Sequence, residues 1–258
     1  MANGSPRANR RSPSPPKPAW STPRRIANSE SHLRVELETS LKRLNRDHVE
    51  LFHLHRREHA RPLEEVVGTV ARLIKDGKIG GYGLSEVAPD TLRRAQAVHP
   101  CTAIQNEYWL WSRLPELGMI QTCADLGVAF IPFSPLARGM LGDRPIAPPT
   151  DRFRATNPCF TEPNFTANIP KINTFRAFCA AGGWSAPATA LAWVLSHGNH
   201  LIPIFGTRSA SNLRQSTAGA RITLTPEDHA EINRILPAGF AYGDLYGDHQ
   251  TQAVERYC

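Results

Sequence analysis

The sequence predicts an α/β fold, an incomplete barrel of the (β/α)8 type, and three observations predict it. Short apolar runs of strand length alternate with helical periodicity from residue 29 onward, the pattern of right-handed βαβ units on a parallel sheet. The alternation yields five strands, where a closed barrel of this kind has eight. The 258 residues, 41% hydrophobic and 21% charged, have an ordinary globular composition, and a whole barrel needs about 250 residues.

The elements follow in order. Leu33, Leu37, Leu41 and Leu44 recur at three- and four-residue spacing and predict a helix over 31–45. VELFHL (49–54) is the first strand. Pro62 opens a helix whose face carries Val66, Val67, Val70, Leu73 and Ile74, and Gly77 stops it. KIGGYGLS (78–85) is the second strand, and a helix runs from Pro89 to Val98. CTAIQ (101–105) is the third strand, followed by a helix over 112–126 that ends at Gly127. VAFIPF (128–133) is the fourth strand. A loop rich in Pro, Asn and Arg covers 142–167, and two helices follow near 168–181 and 187–197. HLIPIFG (200–206) is the fifth strand, with a helix over 209–217 behind it. Thr225 as N-cap, Pro226 at the first helical position and acids in the first turn start the last helix.

The charge divides the chain into two regions. Of the net +7, six charges belong to residues 1–26, in Arg7, Arg10, Arg11, Lys17, Arg24 and Arg25, with no acid among them. Six prolines share that stretch, so residues 1–27 read as a disordered basic tail that cannot bury a core. A transit peptide, a nucleic-acid arm and a nonfunctional extension compete for it, and the extension, a start or frame that is not native, is preferred. The body, 28–258, is nearly neutral and reads as a partial barrel that lacks its first three strands. Strand 49–54 is then expected to present an unpaired edge.

Several function classes are excluded. The neutral body argues against a nucleic-acid partner, and no run approaches the roughly 18 apolar residues of a membrane span. The five cysteines (Cys101, Cys123, Cys159, Cys179, Cys258) are scattered and form no C-x-x-C pair. They predict neither a disulfide framework nor a zinc site, and they fit a reducing cytosol. With Cys258 last, no prenylation box is expected.

Polar residues gather at the strand ends, where barrel folds place chemistry. His53 and His55 lie on one face of the first strand, too few for a metal, so no metal site is expected. His53 reads as packing, while His55 sits at the C-terminal end, next to Arg56. The later strands end in GLSE (83–86), QNEY (105–108), FSPLARG (133–139) and FGTR (205–208). Backbone amides, hydroxyls and guanidinium groups of this kind suit a phosphate, and together they argue for a phosphate-bearing cofactor.

Motifs in family order carry a resemblance. SLKRL (40–44), DHVELFHLHR (47–56), KDGKIGGYGLSE (75–86), IQNEYWLWSR (104–113), FIPFSPLARGML (130–141), ALAWVL (190–195), IPIFGTR (202–208), LTPED (224–228) and VERYC (254–258) occur in sequence. The chain resembles the aldo-keto reductase superfamily, barrels that use NADPH (NADP) to reduce carbonyls. Its nearest likeness is the branch acting on pyridoxal and aryl aldehydes. The resemblance implies a small-molecule carbonyl substrate, with Ser85 and Gln105 on the nicotinamide carboxamide and Phe133 stacked on the ring. Ser134, Leu136, Arg138 and Gly139 match the pyrophosphate loop, and Gly206, Thr207 and Arg208 match the segment near the adenosine 2′-phosphate. The family's Arg-x-x-Glu-Asn appears as Asn212 to Ser216, with Gln215 at the Glu position. That departure loosens the grip on the phosphate and adenine, leaving Arg208 and Arg214 to compensate.

The resemblance also implies a catalytic tetrad of Asp, Tyr, Lys and His. His55 matches the His. Residues 1–46 hold no Asp and no Tyr, and Lys17 lies in the proline-rich tail. Carbonyl reduction is therefore expected to be impaired. The alternative is a non-catalytic dinucleotide-binding or regulatory member of the family.

Overall fold

Leu33, Leu37 and Leu41 recur one turn apart and are all buried, so α1 (Glu30–Leu44) lays a leucine stripe on the core. Ser29 caps it by accepting the amide of His32 at 3.3 Å, and Asn45 ends it in the left-handed conformation. The computed structural model describes residues 26–149, 154–244, 246–247, 251 and 254–255. The predicted tail lies outside the described residues except for its last two positions.

The alternation read from the sequence is present. After α1 come β1 (Phe52–Leu54), α2 (Leu63–Lys75), β2 (Tyr82–Ser85), α3 (Pro89–Val98), β3 (Ala103–Gln105) and α4 (Met119–Leu126). Then follow β4 (Ala129–Phe130), α5 (Asn164–Ala181), α6 (Ala186–Leu195), α7 (Ala210–Thr217) and α8 (Pro226–Ile235). All four strands are parallel, in the order β1-β2-β3-β4. Thr225 and Asp228 complete a capping box at the start of α8.

Three expectations change in detail. The fifth strand, 200–206, is joined to the sheet only by isolated parallel bridges, Phe130 to Leu201 and Phe133 to Ile204. Pro132 and Pro203 interrupt the ladder there, because neither has an N–H to donate. The helix expected over 112–126 breaks at Gly118 (φ 130°), which separates a 3-10 turn, Leu114–Leu117, from α4. The long loop is shorter than expected, since α5 begins at Asn164 after two 3-10 turns. No single helix among the described residues is long and apolar enough to cross a membrane.

Register sorts the sheet into two faces. Leu54, Leu84, Ile104, Phe130 and Leu201 align across it and are all buried. Tyr82, on the same face, donates its hydroxyl to the carbonyl of His99 just beyond α3 at 2.9 Å, so this is the helix-covered face. On the opposite face His53, Gly83, Ala103 and Ala129 align, a row of small residues next to one imidazole.

The His53 ring lies across Gly83: a methyl there would sit 2.3 Å from its Cε1. Gly83→Ala is therefore expected to lower the unfolding free energy by about 1–3 kcal/mol in urea denaturation, as overpacking does. Adding His53→Ala should restore only the part of the loss due to the ring, because the methyl would still lie 2.9 Å from the Ala103 carbonyl oxygen. If the single variant matches the parent, the ring is not confined there.

Candidate functional site

The C-terminal ends of β4 and of the fifth strand meet at a cleft of about 1030 Å³. Its walls are the segment after β4 (Phe133 to Gly139), the strap from Gly142 to Ile146, the segment Ile204 to Thr207, and Asn212, Gln215 and Ser216 of α7. Nine of the twelve positions expected to hold a dinucleotide line it: Phe133, Ser134, Leu136, Arg138, Gly139, Gly206, Thr207, Asn212 and Gln215.

The loop between Ser134 and Gly139 has an unusual backbone. Ser134, Ala137 and Arg138 are left-handed without being glycine (φ 59°, 54° and 52°), and Gly139 has φ 102°. Each such residue costs on the order of 1–3 kcal/mol and persists only where surroundings over-determine it. Ala137 donates its amide to Ser134 O at 2.8 Å and Gly139 donates to Leu136 O at 2.9 Å, which closes the loop on itself. The strap behind it is fastened by Arg176 of α5, whose guanidinium donates to the carbonyls of Gly142 (2.7 Å) and Met140 (2.8 Å). Asp143 accepts the amide of Ala186 at 2.7 Å and also takes a hydrogen bond from Gln215, so it ties the strap to α6 and α7.

The remaining expected positions lie outside the cleft lining. Ser85 and Gln105 are register partners at the ends of β2 and β3, on the face that carries Gly83 and Ala103. His55, one residue past β1, is exposed and extends the same row. Arg56 donates to Ser85 Oγ at 3.2 Å and to the His55 carbonyl at 2.7 Å, so it links the two positions. Arg208 is exposed, just before α7. Among the described residues no group of three or more His, Cys, Asp or Glu side chains could hold a metal ion.

A smaller cavity of about 140 Å³ lies at the same end of the sheet, lined by Glu86, Asn106, Glu107, Tyr246 and Glu255 among others. Glu86 and Glu107 are 6% and 4% exposed. Burial pushes the Glu86 carboxyl up to about 7, against an opposing hydrogen bond from the Glu107 amide and with the Glu107 charge adding to the rise. Burial also raises Glu107, opposed by the Arg138 guanidinium.

Glu86 and Glu107 stand inside the motifs GLSE and QNEY but carry no role there, because their burial is set by packing and not by local sequence. Arg176 and Asp143 were also missed. Nothing local marks a helical arginine or a loop aspartate as a clasp for a segment more than thirty positions away.

The comparisons with known proteins agree with one another. The aldo/keto reductase family model matches residues 19–237. A protein of Glycine max described as probable aldo-keto reductase 1 is 35% identical over 224 residues, which cover 86% of this chain and 65% of that protein. The glycerol dehydrogenase of Gluconobacter oxydans superposes with a TM-score of 0.75 at 26% identity, over 81% of this chain and 65% of that one. A thermostable aldo-keto reductase crystallised with the inhibitor epalrestat matches with a TM-score of 0.64 at 24% identity, over 80% of this chain and 66% of that one, a likeness of fold. The chain thus spans about 65% of the length of these relatives.

Proposed function

This chain belongs to the aldo/keto reductase family, and on that premise we propose that its large cleft binds NADPH for the reduction of a small aldehyde or ketone of the pyridoxal or aryl-aldehyde kind. The observation that carries the reading is the gathering of nine expected cofactor positions around one cleft of about 1030 Å³. A volume of that size accommodates a dinucleotide, since pockets for drug-sized ligands run to about 1,000 Å³.

The residues fit the group in parts. Phe133 offers a ring face for the nicotinamide, and Ser85 and Gln105 offer a hydroxyl and an amide for its carboxamide. Ser134, Leu136 and Gly139 would hold the pyrophosphate, in the loop that also carries Arg138. Gly206, Thr207 and Arg208 would meet the adenosine phosphate, and Asn212 and Gln215 the adenine end. When bound, the dinucleotide supplies a hydride. His55 would orient the carbonyl oxygen of the substrate, with Arg56 fixing the spacing between it and Ser85.

On this reading no residue matches the family's Tyr, Lys and Asp, and Tyr82, Tyr108 and Tyr246 do not replace the acid. Burial raises Tyr82, Tyr108 and Tyr246 well above the usual phenol range. Tyr82 is turned to the helices, and Tyr108 donates to Glu116 at 2.9 Å. That absence favours a second reading, dinucleotide binding without turnover. A cytosolic location goes with this reading, in keeping with the four free, buried cysteines among the described residues.

Titration of the chain with NADPH, followed by nicotinamide fluorescence, tests the reading. Saturable binding with a dissociation constant of roughly 10 to 100 μM is expected, a free energy of about −5.5 to −7 kcal/mol. The weakness follows from a sheet in which β1, among the described residues, is an edge strand. No saturation up to about 1 mM rejects cofactor binding, and nanomolar affinity contradicts the open sheet as a handicap.

A further inference from the structure

Glu107 stands where β3's continuation meets the segment after β4. Its backbone bridges to Phe133, the residue before the left-handed loop, and its amide donates to Glu86 Oε1 at 2.6 Å. Trp109 Nε1 donates to one carboxylate oxygen at 3.1 Å. The other oxygen lies 3.7 Å from the Arg138 guanidinium, and both side chains are nearly inaccessible, at 3% and 8%. The guanidinium also lies 5.2 Å from the ring centre of Tyr246. Arg138 therefore turns its charge inward, toward a carboxylate whose other oxygen is anchored by Trp109.

We propose that Glu107 is a positioning residue: through its buried ion pair with Arg138 it holds the loop from Ser134 to Gly139 in the left-handed form that lines the cleft. Arg138 then acts as the tether of this loop, and the wall offered to a pyrophosphate is made by Ser134, Leu136, Gly139 and backbone groups. A left-handed non-glycine pair, Ala137 and Arg138, requires such a tertiary hold. The inference rests on the cofactor reading for its consequence and on the ion pair alone for its cause.

Glu107→Gln keeps the acceptor for Trp109 and removes only the charge. NADPH titration of Glu107→Gln, Arg138→Met and the double variant is the test, together with hydrogen exchange of amides 137–142 in the absence of ligand. Each single variant is expected to weaken NADPH at least about tenfold and to speed exchange of the loop amides. The double variant should be no worse than either single, because both break one interaction. The double variant also removes the orphaned buried charge, so it is the form expected to fold if a single does not. Additive losses, or a loss in Arg138→Met with none in Glu107→Gln, would overturn the proposal in favour of direct phosphate contact. If the parent binds no NADPH, the cofactor reading fails. Loop exchange then decides the tether by itself: faster in Glu107→Gln supports it and unchanged rejects it.

Discussion

Mixed with NADPH and pyridoxal or an aryl aldehyde, the purified 258-residue chain is expected to consume the dinucleotide about 10²–10⁴-fold more slowly than aldo-keto reductases that carry the full tetrad. The size of the effect is that of a missing general acid. Reduction of a carbonyl places negative charge on oxygen as hydride arrives at carbon, and a proton must meet it. On the proposed reading His55 orients that oxygen, and residues 1–46 hold no Asp and no Tyr that could serve beside it. Tyr82, Tyr108 and Tyr246 are held by burial in the form that gives up a proton least readily. The loss of reduced-nicotinamide absorbance in a stopped assay, with NADPH binding measured on the same sample, checks it. Turnover at ordinary family rates would show that another group protonates the substrate.

The second large effect concerns stability, and it follows from Glu86. Its carboxyl is pushed from an ordinary 4.5 to about 7, chiefly by burial. Below about pH 4.5 the group is protonated in folded and unfolded chains alike and favours neither. As the pH rises from 4.5 to 7, the unfolded chain releases the proton while the folded chain keeps it, so stability falls with rising pH across that window. The full loss, reached above pH 7, is roughly 3 kcal/mol at 1.36 kcal/mol per unit. Glu86→Gln cannot ionise and can still accept the Glu107 amide. Urea unfolding at a series of pH values should therefore show the variant gaining on the parent from pH 5 to 7.5, by up to about 3 kcal/mol. His53 and His197, both lowered by burial, act in the opposite direction. Their slope is common to both proteins and cancels in the difference. Parallel curves would mean that Glu86 titrates like an exposed carboxylate.

Much of the molecule was legible because its signals are local. The leucine repeat of α1, the valine face of α2, Pro89 opening α3 and the capping box of α8 each depend on residues within one or two turns. The strands were found as apolar runs, though their paired lengths shrank where Pro132 and Pro203 remove donors from the ladder. Most of the expected cofactor positions gather at one cleft for a related reason. In a parallel sheet every strand ends on the same side, so motifs far apart in sequence are delivered to one cleft. Ser85, Gln105 and His55 were delivered to the neighbouring row instead, because the period of two along each strand fixes which face they share.

By itself, then, the sequence determined the order and type of nearly every described element and the parallel sense of the sheet. Tertiary structure alone decided which residues are charged, paired or buried. Glu86 and Glu107 become a buried pair, Arg138 turns inward to a carboxylate, and Arg176 and Asp143 fasten a strap across the cleft. Helix and strand periodicity arise from neighbours a few residues apart. Desolvation and ion pairing arise from neighbours that only the packed chain brings together, and no spacing in the sequence encodes them.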